Sequence, residues 1–217
     1  MSEIKTCVVL PTYNEEESIA QMIEAIHKLN LPLFVMDEHS RDKTEEIAKR
    51  LGVEVYQREG SGKGAGLISA VNLASKNGYD IIVIIDCDTS YPPEDIPKLL
   101  EFIPEYDMVI GARDLKDIEF SHRIGNLIHT QAINIMFNAS LKDINSGMRA
   151  IKVKKISGLL NANGFDIEAQ ITAQALKKKF KIKEITIKYK ERLGQSKIRI
   201  KDGFVILSRI IKERFTK

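Results

Sequence analysis

Residues 80–93 read DIIVIIDCDTSYPP, and the fold turns on this stretch. Five consecutive apolar residues, Ile81 to Ile85, run directly into Asp86-Cys87-Asp88. An unbroken apolar run of strand length, without alternation, implies a strand buried on both faces. Such strands belong to parallel sheets covered by helices on either side. In an extended segment Asp86 and Asp88 point one way and Cys87 the other, with the aspartate Cα atoms ~6.6 Å apart. Two like charges at the end of a buried strand need a positive partner. Hard carboxylate oxygens favour Mg²⁺ or Mn²⁺. The competing reading is a solvated strand end capped by carboxylates.

Outward from this strand the same grammar repeats. TCVVL (6–10), LFVMD (33–37), VEVYQR (53–58) and DMVIGAR (107–113) read as further strands. Between them, 15–29, 40–52, a segment ending near Asn77, and 93–103 carry helical spacing or helix-start and helix-stop residues. Strand and helix in alternation predict an α/β chain with a Rossmann-like, mostly parallel sheet flanked by helices. Functional residues in such sheets lie beyond the carboxyl ends of the strands. The unusual motifs fall there: PTYNE after the first strand, Asp37 ending the second, EGSGKGAG after the third and DCD after the fourth. The second half is less regular. It predicts helices over 122–138, 166–180 and 198–216 and strands over 147–153 and 182–190.

The chain has 217 residues, 43% of them hydrophobic and 29% charged, which suits one soluble globular domain. Cys7 and Cys87 sit in apolar stretches and read as reduced thiols of a cytoplasmic protein. No apolar run approaches the ~20 residues of a spanning helix, and the N-terminus does not read as a signal peptide. Residues 181–217 hold 12 Lys/Arg against 4 Asp/Glu, so a basic tail follows an acidic body. One end of the molecule is thereby expected to meet anions. Aromatic residues make up only 6% and none interleave with a basic groove, so no nucleic-acid partner is expected.

Each motif has two readings. GSGKGAG (60–66) can present backbone N–H groups and Lys63 to an anion, or be a flexible turn. It is no P-loop, because Gly64 stands where Ser or Thr should follow the lysine. The acids at the end of strand two can accept hydrogen bonds from a nucleobase or ribose, while Ser40 or Asp42 can cap a helix. Arg113, Arg123, Arg192 and Lys197 fall outside the apolar patterns; singly they are surface charge, together a phosphate clamp.

The motifs VVLPTYNEEESI, VMDEHSRDKT, GKGAG, IDCDTSYPPE, GAR, INSGMRA and ERLGQSK occur in the order seen in glycosyltransferase family 2. The set most resembles the polyprenyl- and dolichyl-phosphate hexosyltransferases. That resemblance implies a GT-A fold across the chain. Residues 1–114 would form a nucleotide-sugar half, 115–197 an acceptor half, and 198–217 a basic amphipathic helix. It implies an inverting, metal-dependent enzyme that moves a hexose from a UDP- or GDP-linked donor to a lipid phosphate. Pro11, Tyr13, Glu15, Asp37 and Lys63 would hold the donor. Asp86 and Asp88 would hold Mg²⁺ or Mn²⁺ on its diphosphate. Arg113, Arg123, Arg192, Ser196 and Lys197 would hold the acceptor phosphate, with Asp88, Arg113, Arg123 and Lys197 acting in the transfer.

The sequence departs from its relatives in having Ser90 where some mannose synthases supply a glutamine ligand. It also has Asp37-Glu38 in place of two aspartates, and no spanning helix near the end. GFDIE (164–168) is closer to the glucose-synthase-like members and tilts the donor toward UDP. Two alternatives stay open: a sugar-hydroxyl acceptor with Asp143, Asp166 or Glu168 as base, and a non-catalytic nucleotide-binding module. The tail helix is expected to pack Ile198, Val205, Ile210 and Ile211 on the body. It would turn Arg199, Lys201, Arg209, Lys212 and Arg214 toward solvent or an anionic membrane surface.

Overall fold

A computed structural model describes residues 4–194 and 197–216. Its strands are β1 (Thr6–Thr12), β2 (Leu33–Asp37), β3 (Glu54–Gln57), β4 (Ile81–Ile84), β5 (Met108–Arg113), β6 (Arg149–Lys152) and β7 (Ile182–Ile187). Its helices are α1 (Ile19–His27), α2 (Thr44–Arg50), α3 (Lys63–Lys76), α4 (Ile96–Phe102), α5 (Phe120–Phe137), α6 (Val153–Ile156), α7 (Ile167–Lys177) and α8 (Ile200–Phe215). Short 3₁₀ turns precede α4 and α5.

All seven strands form one sheet in the order β3-β2-β1-β4-β6-β5-β7. The chain first builds outward from β1 to β3, then returns to pair β4 with the other edge of β1, parallel, Val8 opposite Val83. Strand order reverses between these two strands, so their carboxyl ends diverge and leave a crevice. PTYNE leaves β1 and DCD leaves β4 at that crevice. The sheet is parallel except for β6, which runs antiparallel between β4 and β5. The sequence predicts a strand at 147–153, but not its direction, because period and composition are blind to pairing.

The apolar run of β4 feeds both cores, as the absence of alternation requires. Ile81, Val83 and Ile85 pack with α1, α2 and α4, and Ile82 and Ile84 with α3, α6 and α7. A third cluster joins Ile133 of α5, Ala169 and Ala173 of α7, and Ile206 and Ile210 of α8.

Helix α8 corrects the expected orientation of the tail. Ile206 and Ile210 are buried, but Ile200, Phe204, Ile211 and Phe215 face outward. Arg209, expected on a solvated basic face, bonds Asp166 Oδ2 at 2.7 Å and Asn161 Oδ1 at 2.9 Å. Its buried acidic partner lies 43 residues away, beyond the reach of a helical-wheel argument. Among the described residues, no helix is long and apolar enough to cross a membrane.

Candidate active site

Two adjoining cavities of about 780 and 1090 Å³ open at the carboxyl ends of the strands, and Lys63, Asp86, Asp88 and Arg192 line both. The acid pair therefore stands at the waist of a two-lobed cleft. Local backbone sets it there. Thr89, directly after the pair, is left-handed at φ 64°, an outlier for a β-branched residue of the kind found at functional sites. That turn brings the Ser90 amide to Asp88 Oδ1 at 3.1 Å, with the Ser90 hydroxyl on the same oxygen. Ser90 thus holds Asp88 in place. Asp86 is accommodated by Gly147: a Cβ there would stand 2.0 Å from Asp86 Oδ2. The Gly147 amide meanwhile donates to the buried Tyr91 hydroxyl at 2.8 Å.

The positive partners are side chains. Lys63 Nζ lies 2.9 Å from Asp86 Oδ1 and 2.7 Å from Glu168 Oε1. Burial alone would push the lysine down, but these two carboxylates outweigh it and hold the ammonium firmly charged. Arg192 lies 3.3 Å from Asp88 Oδ2, and its buried Nε has no hydrogen-bond partner. Among the described residues no group of three or more His, Cys, Asp or Glu could enclose a metal ion. Two hard carboxylates at one strand end, Asp86 seated by Gly147 and Asp88 held by Ser90, fit a divalent ion.

Pro11, Tyr13 and Glu15 line the larger lobe, with Glu38 and Gly62. The structure does not bring Asp37 to it. Asp37 is fully buried, and its oxygens accept from Thr12 Oγ1 (3.1 Å), the Ser40 amide (2.8 Å) and the Ser40 hydroxyl (2.5 Å). Its neighbour Glu38 faces the lobe, where burial pushes its carboxyl up against the pull of Arg58 at 3.1 Å.

Lys197 also stands apart from the expected acceptor group. Its ammonium binds the Glu15 carboxylate and the Tyr13 carbonyl on the larger lobe. The half-buried Glu15 carboxyl is pushed up by burial, and the Lys197 ammonium opposes that shift. Ser196 lies outside the described residues.

The smaller lobe is walled by Tyr91, Arg113, Tyr189 and Arg192, and by the His122, Gly125, Asn126 and His129 face of α5. Arg113 is gripped by Asp143, Nε to Oδ2 at 2.7 Å and Nη2 to Oδ1 at 2.9 Å, and lies 5.2 Å from the Tyr189 ring centre. Burial would raise the Asp143 carboxyl, but the guanidinium outweighs it and holds the group below its ordinary value. Arg123 is not among the lining residues. Its guanidinium donates to the carbonyls of Ile118 (2.9 Å) and Lys116 (3.1 Å), closing the turn before α5. One residue is about 100° of helix, so when His122 faces the cleft Arg123 cannot.

Two residues were missed by sequence reasoning. Asn126 is 3% exposed, lines the smaller lobe, and neither polar atom of its amide has a hydrogen-bond partner. Its signal was available: His122, Gly125, Asn126 and His129 recur at i, i+3, i+4 and i+7, which places them on one face of the helix. Arg149 is fully buried beneath the site and donates to the carbonyls of Ile144 (2.9 Å), Ser146 (2.9 Å) and Glu168 (3.3 Å). It ties the 144–146 loop to the start of α7, and nothing local in the sequence announces it.

The profile of glycosyl transferase family 2 matches residues 7–160 of the chain. The chain belongs to glycosyl transferase family 2. As a member of that family it is a glycosyltransferase. It is 30% identical over 197 residues to a dolichyl-phosphate hexose transferase of Haloferax volcanii, covering 88% of this chain and 85% of that protein. It is 32% identical over 228 residues to a dolichol-phosphate mannosyltransferase of Pyrococcus furiosus, covering 96% of this chain and 63% of that protein. A glucosyl-3-phosphoglycerate synthase of Mycobacterium tuberculosis, solved with Mn²⁺, UDP and glucosyl-3-phosphoglycerate, superposes with a TM-score of 0.84 at 20% identity. That match covers all of this chain and 82% of the other. The expected GT-A glycosyltransferase fold is the fold observed.

Proposed function

We propose that this glycosyltransferase moves a hexose, with inversion, from a nucleotide sugar to a polyprenyl phosphate. The donor would lie in the larger lobe, its nucleoside against Pro11, Tyr13 and Glu38 and its diphosphate at the waist. Mg²⁺ or Mn²⁺ held by Asp86 and Asp88 would supply charge stabilisation to the departing diphosphate. Lys63 and Arg192 present cationic heads at the same place and oppose the charge that develops as the sugar–phosphate bond breaks. The acceptor phosphate would enter the smaller lobe, where Arg113 is preorganised by Asp143. Its oxygen is already ionised near neutral pH, so attack on the anomeric carbon needs placement and no proton acceptor. The donor is proposed as UDP-linked, and the protein as cytoplasmic and peripheral to the membrane that carries its acceptor.

One observation carries the choice of acceptor. A hydroxyl acceptor needs a carboxylate base, and the three carboxylates that the sequence offers for that role are each locked onto a cation. Asp143 is held by Arg113 at 2.7 Å, Asp166 by Arg209 at 2.7 Å and Glu168 by Lys63 at 2.7 Å. A second reading is supported by Glu168, which lines the smaller lobe beside the acid pair. Glu168→Gln separates them. Transfer to polyprenyl phosphate should stay within about tenfold of wild type, whereas a hydroxyl transferase should lose about 10²–10⁴-fold. Loss of transfer to a sugar hydroxyl, with polyprenyl phosphate inert, overturns the first reading.

A further inference from the structure

The carboxylate oxygens that a divalent ion needs at the waist are already engaged by this chain's own donors. Lys63 Nζ lies 2.9 Å from Asp86 Oδ1 and 3.2 Å from Asp86 Oδ2, so one ammonium straddles the whole carboxylate. Asp88 Oδ1 accepts from the amide and the hydroxyl of Ser90, and Asp88 Oδ2 faces Arg192 Nη2 at 3.3 Å. Two acids thus meet two cations. Behind them Glu168 and the fully buried Arg149 add one charge of each sign. Within this group every carboxylate is matched by a side-chain cation. A divalent ion arriving alone would bring two positive charges to a neutral site. It would also have to lift the ammonium off Asp86, because Mg²⁺ takes its oxygens at about 2.1 Å and two cations on one carboxylate repel.

The backbone around Lys63 leaves only its side chain free to yield. Its neighbours Gly62 and Gly64 are packed against residues 162–163. A Cβ on Gly62 would stand 2.2 Å from the Asn163 carbonyl oxygen, and one on Gly64 2.2 Å from that of Ala162. The Gly64 amide donates to the Asn163 carbonyl at 3.0 Å. The glycine-rich loop, read in sequence as an anion cradle or a flexible turn, is therefore a wedge held against the chain that leads into α7. Glu168 stands in the first turn of that helix and meets the same ammonium at 2.7 Å. A lysine carries its charge on a flexible stem. With its Cα fixed and Glu168 as a second partner, the ammonium can leave Asp86 without losing every counter-charge.

We propose that Lys63 is an internal counter-ion that closes the acid pair to a lone divalent ion and yields Asp86 only when a nucleotide diphosphate enters with the metal. The diphosphate brings the negative charge that a neutral waist lacks. Lys63 then stands between Glu168 and the phosphate oxygens. This makes Lys63 a positioning residue for metal entry, and it rests on the reading that Asp86 and Asp88 hold the ion.

The test is Mn²⁺ binding with no nucleotide present, followed by loss of the free Mn²⁺ signal in electron paramagnetic resonance. The proteins are wild type, Lys63→Met, Lys63→Arg, Asp86→Asn and Lys63→Met/Asp86→Asn, with circular dichroism to check folding. Lys63→Gln carries the same comparison should Lys63→Met fail to fold. Lys63→Met should bind Mn²⁺ at least about tenfold more tightly than wild type, because no ammonium competes for Asp86. Lys63→Arg keeps the charge and should stay within about threefold of wild type. Adding Asp86→Asn should remove the gain. UDP and GDP titrated by calorimetry, with and without Mn²⁺, give a second readout. Coupling between two ligands is reciprocal, so Mn²⁺ should tighten the nucleotide by a larger factor in wild type than in Lys63→Met.

An equal or weaker Mn²⁺ affinity in Lys63→Met overturns the inference. So does a gain that Lys63→Arg shares, since packing and not charge would then be its source, or a coupling that Lys63→Met leaves unchanged. If Lys63→Met gains nothing while Asp86→Asn still abolishes Mn²⁺-dependent nucleotide binding, the counter-ion fails and the metal reading stands. A gain in Lys63→Met that survives Asp86→Asn places the ion elsewhere and rejects both.

Discussion

Gly147→Ala is the sharpest probe of how the waist of the cleft is built. The new Cβ would stand 2.0 Å from Asp86 Oδ2 and 2.4 Å from its Cγ, where ordinary contact begins near 3.4 Å. The carboxylate must therefore retreat by about 1.4 Å or rotate away, since a misplacement near 1 Å is the scale on which alignment fails. What moves is the end of a side chain, so the fold survives. Overpacking of this kind costs about 1–3 kcal/mol, which for a chain of this length lowers Tm by roughly 2–12 °C. Transfer should fall by about 10²-fold. Asp86→Ala should fall at least as far and show no additional loss when combined with Gly147→Ala, because both act through one carboxylate. The assay is steady-state transfer with saturating Mn²⁺, beside calorimetric unfolding of each variant. A Gly147→Ala enzyme with wild-type kcat/KM, or losses that multiply in the double variant, would refute the argument that Gly147 exists to seat Asp86.

Two further outcomes follow from groups the fold leaves in unusual states. A buried amide without a partner costs about 1–3 kcal/mol, so Asn126→Leu should raise Tm while lowering kcat/KM at least about tenfold. Unchanged activity would show that the amide reads no ligand. His129 accepts from Asn145 Nδ2 at 3.0 Å on one ring nitrogen and donates to the Gly203 carbonyl at 3.0 Å with the other, so it is neutral. Burial lowers its pKa from the ordinary 6.5, with the Gly203 carbonyl opposing. Because the folded value lies below the unfolded one, its contribution to stability is complete above about pH 6.5 and is lost as pH falls toward the folded value, by at most about 1.4 kcal/mol per pH unit. His129→Phe should flatten that part of the stability profile, and an unaltered slope would remove the histidine as its source.

The parts of this molecule that were legible in sequence are those whose cause is local. The undivided apolar run of 81–85 required a strand covered on both faces, and β4 feeds both cores. Carboxylates directly after it had to lie at a strand end, and the return of β4 to the free edge of β1 made that end a crevice. The misplacements are of charges whose partners lie far along the chain. Arg209 looked solvated because Asp166 is 43 residues away. Lys197 looked like an acceptor ligand because Glu15, its partner, is 182 residues away. Asp37 ends its strand as expected, but backbone geometry three residues on returns Ser40 to its carboxylate. Arg123 and Asn126 share a helix, and only a decision about which face meets the cleft separates a turn-closing arginine from a lining amide.

The central claim is that sugar leaves a nucleotide at Asp86 and Asp88 and arrives on a lipid phosphate. It is tested most directly by incubating the protein and Mn²⁺ with radiolabelled UDP-glucose and, in parallel, GDP-mannose, each with polyprenyl phosphate, and extracting the product into organic solvent. Label should enter an acid-labile, lipid-linked sugar phosphate from one donor, and chelator or Asp88→Ala should abolish it. Label that never enters the organic phase, while a sugar-hydroxyl acceptor becomes glycosylated in the same enzyme preparation, would contradict it.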